Sequence, residues 1–231
     1  MLYIISGPSG AGKGTIVQGL LVRRPDIVLS VSFTTRPPRP TERDGEHYYF
    51  VSPTTFSLMR QRGDFVECAE VHGNYYGTSR RTIEEALASG RDVLLEIDVQ
   101  GAAQVKSRAK DAVSIFVLPP SRQVLQNRLR NRSLHEGAAA EAVIERRLLA
   151  AQKEIENSPN YDYILVNDRL EESVEKLKAI VFCERAKRSG KSLSQEEQRV
   201  MEMARNCLQS DRETSKNVKE VLASFAPAIS G

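Results

Sequence analysis

Over residues 1–188, short apolar runs alternate with longer stretches of helical periodicity. The runs Leu2 to Ser6, Val28 to Phe33, Val93 to Asp98, Val113 to Leu118 and Tyr163 to Val166 are rich in β-branched residues and end at polar or turn residues, which predicts strands. Their near-continuous apolarity suits strands covered on both faces, hence a parallel sheet. Between them Ile16, Leu20 and Leu21, then Ile144, Leu148, Ala151 and Ile155, then Leu170, Val174, Leu177 and Val181 recur at helical spacing. The pattern predicts an α/β domain, a parallel sheet covered by helices.

Two stretches break it. From Tyr48 to Tyr76 the chain reads as strand-like YYFV, a short helix over Thr54 to Arg62 and extended DFVECAEV and NYYGT, a small inserted α+β lobe. Residues 189–231 are polar with two weak helical patterns around SDRETSK, a helical or partly disordered C-terminal appendage.

Composition narrows the class. The chain has 231 residues, 40% hydrophobic and 27% charged, enough for one sizeable core. No apolar run approaches the roughly 20 residues of a bilayer span, and the start MLYIISGPSG lacks a leader pattern, so a cytoplasmic location and no membrane partner are expected. Lys plus Arg total 33 against 30 for Asp plus Glu, too small a surplus to indicate nucleic acid. Cys68, Cys183 and Cys207 have no paired spacing and read as reduced thiols.

The strongest chemical signal follows the first strand: Gly7-Pro8-Ser9-Gly10-Ala11-Gly12-Lys13-Gly14-Thr15, then a helical pattern. Strand, glycine-rich loop and helix form the context of a nucleotide phosphate loop. Glycines let backbone N–H groups converge on phosphate oxygens, the helix start adds partial positive charge, and Lys13 reaches the β- and γ-phosphates. Gly14 stands where Ser or Thr would bind Mg²⁺ directly. The metal is therefore expected mainly on nucleotide oxygens and water, as MgATP, with Thr15 as a weak candidate ligand.

Glu96 and Asp98 lie two residues apart at the end of the third predicted strand, on one face by alternation, where an acid organising Mg²⁺ and water is expected. Arg36 and Arg39 lie in the proline-stiffened SFTTRPPRP, a cheaply ordered pair of guanidinium forks suited to a phosphate dianion. Arg128 and Arg132 are four apart on one helix face, and Glu145-Arg146-Arg147 starts a second cationic cluster; Arg130 and Arg146 read as solvated.

GPSGAGKGT, SFTTRPPRPTERDGEHYYFV, FVECAEVHGNYYGT, LLEIDVQG and FVLPPS, in that order, resemble the guanylate kinase family over residues 2 to about 185. The resemblance implies a phosphate-loop nucleoside monophosphate kinase fold with core 1–32 and 80–188, a GMP-binding lobe at about 33–79 and a helical lid at about 128–147. It implies ATP-dependent phosphorylation of GMP, and of dGMP, in purine nucleotide metabolism, with ATP and GMP as partners and a homodimer as one open oligomeric option. Carried over residue by residue, it puts ATP on residues 7–15 and Asn167, and the GMP phosphate on Arg36, Arg39, Tyr48 and Tyr76. It puts guanine on Ser32, Glu67 and Thr78, with Glu96 and Asp98 nearby, and catalytic cations on Lys13, Arg36, Arg39, Arg128, Arg132 and Arg147, with Asp98 among the catalytic residues. The segment Ser133-Leu134-His135-Glu136-Gly137 departs from the family's lid pattern.

Two other readings use the same residues. A kinase for AMP or a pyrimidine monophosphate fits the phosphate loop alone, while the TTRPPRP segment, the tyrosines and Glu67 oppose it. A phosphopeptide-binding relative without phosphotransfer fits the fold, while the intact Lys13, the loop glycines and both acceptor arginines oppose it.

Overall fold

A computed structural model describes residues 1–71, 73–135, 141–190 and 192–225, and of residues 132–135 the backbone alone. The elements run β1 (Leu2–Ser6), α1 (Lys13–Arg23), β2 (Ile27–Leu29), β3 (Phe33–Thr34), β4 (Tyr49–Phe50), α2 (Pro53–Gln61), β5 (Phe65–Val71), β6 (Asn74–Ser79), α3 (Arg80–Ala88), β7 (Asp92–Glu96) and α4 (Val99–Arg108). They continue as β8 (Val113–Leu118), α5 (Arg122–His135), α6 (Glu141–Ile155), a 3₁₀ turn (Ser158–Asn160), β9 (Tyr163–Val166), α7 (Leu170–Ser189), α8 (Gln195–Arg205) and α9 (Arg212–Ala223). The principal sheet has the order β2-β7-β1-β8-β9, and a smaller sheet has the order β4-β3-β6-β5. The chain falls into two compact units, Met1–Ile5 with Arg24–Ser114, and Ser6–Arg23 with the chain from Ile115 onward.

In the first unit β1 and β2 both pair in parallel with β7, Leu2 opposite Val93 and Ile27 opposite Asp92. Val93, Leu94 and Leu95 are fully buried, as a strand covered on both faces requires. The small sheet is mixed: β3 runs parallel to β4 and antiparallel to β6, and β5 and β6 form a hairpin. Its core is aromatic. Phe56 stacks on Phe65 at 4.7 Å, and Phe33 lies 5.8 Å from Phe65. Gly77 faces them, and a β-carbon there would stand 3.0 Å from both Phe56 and Phe65, so a larger residue would have to push that ring pair aside by a few tenths of an ångström.

Two strand expectations change. The run from Val28 to Phe33 divides: β2 ends at Leu29 in the principal sheet, and Phe33 opens β3 in the small one. Buried Ser30 and Ser32 flank that transfer, where an uninterrupted apolar reading hides the change of sheet. β7 ends at Glu96 rather than Asp98. Asp98 is instead the N-cap of α4, its Oδ1 accepting from Gly101 N–H at 2.9 Å, so the two acids do not share a strand face.

In the second unit β8 and β9 are parallel, Ile115 opposite Tyr163. Most of the faces read from periodicity are buried: Ile16 and Leu20 on α1, Ile144, Leu148, Ala151 and Ile155 on α6, and Val174, Leu177 and Val181 on α7, whereas Leu21 is half-buried and Leu170, the first residue of α7, is exposed. The tail forms helices. Ser194 and Glu197 make a capping box at α8, and the Asp211 carboxylate accepts from Thr214 N–H at α9. Between these helices the chain runs beside β9, with Cys207 O accepting from Ile164 N–H at 2.7 Å and Asp162 O accepting from Gln209 N–H at 3.0 Å. The pairing covers β9's outer edge, which would otherwise offer unpaired backbone groups. At the end of α9, Ser224 Oγ accepts from Arg122 N–H at 2.9 Å and caps the start of α5. No described helix is long and apolar enough to cross a membrane.

Candidate active site

The phosphate loop leaves β1 at Gly7 and enters α1 at Lys13. Gly7, Gly10 and Gly12 have φ of +138°, +87° and +93°, conformations that side chains oppose. A β-carbon on Gly7 would stand 2.3 Å from Val117 O, and one on Gly12 would stand 2.3 Å from Asn167 Nδ2. The first amides of α1 have no intrahelical carbonyl to bond, and the helix dipole reinforces their attraction for anions. Lys13 folds over the loop, its Nζ donating to Gly7 O at 2.5 Å and Pro8 O at 3.2 Å. Thr15 is exposed in the first turn of α1.

Two side chains hold this loop from outside it. Buried Asn167, at the end of β9, donates through Nδ2 to Ala11 O at 2.7 Å. Arg128 of α5 donates to Ala11 O at 3.3 Å and Asn167 O at 3.0 Å. Burial lowers the Arg128 pKa, against the charge of Asp168. α5 also supplies Leu125 and Leu129, both fully buried, within about 3 Å of where a β-carbon on Gly10 would sit. Arg122 pairs with Glu145 at 3.0 Å across α5 and α6, and Arg130 pairs with Glu141 at 2.5 Å, in line with its reading as a surface charge. Arg147 is half-buried on α6. Arg132 lies on α5, and its side chain and residues 136–140 of the expected lid lie outside the described residues.

The other cluster belongs to the first unit. Glu67 on β5 is 3% exposed; its Oε1 accepts from the Thr78 hydroxyl on β6. Thr78 Oγ1 lies 3.2 Å from Ser32 Oγ, and with the Thr78 proton turned to Glu67, Ser32 is the donor in that pair. Glu67 Oε2 would stand 2.5 Å from a β-carbon on Gly101, so the first turn of α4 passes this carboxyl only because residue 101 has no side chain. Burial, with a smaller contribution from the Asp98 charge, pushes the Glu67 pKa up to about 7.

Arg36 and Arg39 converge on Glu42. Arg36 Nη2 donates to both Glu42 oxygens at 2.9 Å, while Arg39 gives its guanidinium at 3.1 Å and its backbone N–H at 2.8 Å. Burial would raise the Glu42 pKa, but the Arg39 N–H and the two guanidinium groups outweigh it and lower it. The Arg36 guanidinium also lies over the Tyr48 ring at 5.5 Å and bonds Tyr76, while its Nε is buried with no protein partner. Tyr48 and Tyr76 meet edge to face at 5.8 Å. Burial, helped by the charge of Glu96, pushes the Tyr48 hydroxyl up to about 12, which keeps it a neutral donor at physiological pH.

Within the first unit, Ser32, Glu67 and Thr78 meet, Arg36 meets Tyr48 and Tyr76, and Arg36 and Arg39 share Glu42. Asp98 is committed to the α4 cap and to Gln100 Nε2 at 3.2 Å. Sequence reasoning passed over Glu42 and Gly101. Glu42, three residues after Arg39, has the spacing of a local ion pair, and Gly101 is a glycine inside a helix, which calls for a close neighbour.

A glycine-rich loop between a parallel strand and a helix, with a lobe that carries a pair of arginines and, separately, a buried carboxyl, has the form of a phosphate-loop kinase of the nucleoside monophosphate class. Residues 1–184 match the family model "Guanylate kinase". The chain is 48% identical over 227 residues to the guanylate kinase of Koribacter versatilis, covering 98% of this chain and 96% of that protein. It is 51% identical over 184 residues to the guanylate kinase of Aromatoleum aromaticum, covering 80% and 88%. The crystal structure of guanylate kinase from Anaplasma phagocytophilum matches with a TM-score of 0.64 at 35% identity, covering 78% of this chain and 84% of that one. The chain belongs to the guanylate kinase family, enzymes that phosphorylate GMP to GDP. The Koribacter match extends through the tail helices, whereas the family model stops at residue 184.

Proposed function

We propose that the phosphate loop holds ATP, that the small lobe holds GMP, and that the γ-phosphoryl group passes directly between them. An oxygen of the GMP phosphate, already anionic at neutral pH, attacks the γ-phosphorus in line. The bond to the β–γ bridging oxygen breaks, and ADP leaves. No strong general base is required. Arg36 and Arg39 hold the attacking phosphate, with Tyr48 and Tyr76 donating hydroxyl hydrogen bonds, and the buried, unpartnered Arg36 Nε supports this assignment. Glu42 orients the two guanidinium groups. Lys13 leaves its loop carbonyls for the β- and γ-phosphates, and Arg128, Arg132 and Arg147 add positive charge as the phosphoryl group moves. Asn167 reaches the adenine side while steadying Ala11.

Guanine offers N1–H and a 2-amino group as donors and O6 as an acceptor. Glu67 accepts from the two donors, and Ser32 or Thr78 turns a hydroxyl proton to O6. Adenine presents the opposite pattern at this edge and would leave the carboxyl unpaired, at about 1–3 kcal/mol or more. The carrying observation is this buried Glu67–Thr78–Ser32 set, whose carboxyl has a pKa of about 7. Asp98 lies close enough for its charge to raise the Glu67 pKa, and Glu96 close enough to raise that of Tyr48. Because dGMP has the same base and phosphate, it is a substrate on this reading.

Among the described residues no three His, Cys, Asp or Glu side chains cluster closely enough to hold a metal. The exposed Thr15 hydroxyl, a hard oxygen at the start of α1, fits one position on a Mg²⁺ otherwise held by nucleotide oxygens and water. Bound there, Mg²⁺ supplies charge neutralisation on the β- and γ-phosphates.

The test is ADP formation from MgATP with GMP, dGMP, AMP, CMP and UMP in turn. Turnover confined to GMP and dGMP is expected; comparable turnover of AMP would remove the role given to Glu67.

A further inference from the structure

The strand that carries Glu67 is the free edge of its sheet, and one helix covers that edge in a regular way. Gln100, Gln104 and Arg108 of α4 are spaced by four, so they form one row with steps of about 6 Å. Glu70, Cys68 and Val66 of β5 alternate, so their outward backbone groups repeat at about 6.7 Å. The two periods match, and the row bonds to the edge rung by rung. Gln100 Nε2 donates to Glu70 O at 3.3 Å. Gln104 Nε2 donates to Cys68 O at 2.8 Å, and its Oε1 accepts from Cys68 N–H at 3.2 Å. The Arg108 guanidinium donates to Val66 O.

The central rung imitates a paired strand, since the Gln104 amide satisfies both backbone groups of one residue. Its position matters because β5 and β6 lose regular register between Phe65 and Glu67. A bulge leaves the strand less firmly held from its paired side. Val66 and Cys68 bracket Glu67, and α4 holds both from the other side. The same helix carries Gly101, against which Glu67 Oε2 lies. α4 therefore sets both the register of Glu67 and the limit of its reach.

We propose that Gln104, flanked by Gln100 and Arg108, is a positioning residue for guanine selection, holding β5 so that the Glu67 carboxyl meets N1–H and the 2-amino group together. The inference rests on Glu67 being the guanine contact.

The test compares kcat/KM for GMP with that for IMP, which lacks the 2-amino group, in the full chain and in Gln104→Met, Gln104→Ala and Glu67→Gln, with the ATP KM measured in each. Methionine matches glutamine in length and cannot pair with the Cys68 backbone, so Gln104→Met separates bonding from packing if Gln104→Ala folds poorly. Losing the rung should reduce the GMP-to-IMP preference about five- to tenfold, with the ATP KM unchanged and faster exchange at the Cys68 amide. A wild-type preference in Gln104→Met, or equal loss toward GMP and ATP, would overturn the role of Gln104. If Glu67→Gln itself keeps the wild-type preference, the base-contact reading fails instead, and the two failures are read from different variants.

Discussion

On the proposed assignment, the donor loop and the acceptor lobe would hold their ligands by different physical means. The loop relies on backbone: its glycines adopt conformations that other residues rarely take, and Asn167 and Arg128 act on the carbonyl of Ala11. The lobe relies on side chains, with Glu42 drawing two arginines together and the Thr78 hydroxyl donating a hydrogen bond to Glu67. Backbone recognition suits a triphosphate, which presents the same oxygens on every nucleotide. Side-chain recognition suits a base that must be told from its competitors. Substitutions on the two sides should therefore fail differently.

The largest expected effect lies on the donor side. Lys13→Ala should lower kcat at least about a thousandfold while changing the GMP KM severalfold at most, because its charge is needed as the phosphoryl group moves. Steady-state kinetics with each nucleotide varied checks the split. Arg39→Ala should raise the GMP KM about tenfold to a hundredfold and leave the ATP KM nearly unchanged; equal losses would make Arg39 a structural partner of Glu42 only. Gly101→Ala places a β-carbon against Glu67 Oε2 and should likewise raise the GMP KM, about tenfold, without affecting ATP. The smallest effect is on stability: Ser224→Ala removes the acceptor for Arg122 N–H and should cost about 1 kcal/mol in thermal or denaturant unfolding, with both KM values kept.

Legibility in the sequence followed the same division. The phosphate loop could be read because its demands are on backbone, and glycine is the residue that meets them; its strand and helix lay where apolar periodicity put them. The α6 and α7 faces were legible because burial enforces a period. The inserted lobe and the Arg36/Arg39 pair stood out in the sequence by pattern, whereas the proposed guanine contacts were grouped only by the resemblance, since Ser32 lies just before β3, Glu67 on β5 and Thr78 on β6, and no period links them. Asp98 was misplaced because an N-cap aspartate directly after an apolar run looks like the end of that run, and only the bond to Gly101 N–H distinguishes the two. The tail helices were faint because their buried faces are short, Ala204 on α8 and Thr214, Val218 and Val221 on α9.

pH separates the halves most directly. Burial raises the Glu67 pKa to about 7. For the fold this sign means that the group's stabilising contribution is complete below the unfolded value near 4.5 and is lost as pH rises through about 7. For the proposed guanine contact the direction is opposite: the carboxylate it needs as acceptor exists above about 7, and GMP affinity should fall below it by up to about tenfold per pH unit. The GMP phosphate titrates nearby, at about 6, in every variant alike, so dividing the Glu67→Gln value by the wild-type value removes it.

The decisive measurement is the GMP KM from pH 5.5 to 8.5 in the wild type and in Glu67→Gln, with the ATP KM alongside. The wild-type GMP KM should rise below pH 7 relative to the variant, while the ATP ratio stays level. A GMP ratio independent of pH would show that the Glu67 carboxylate does not read guanine.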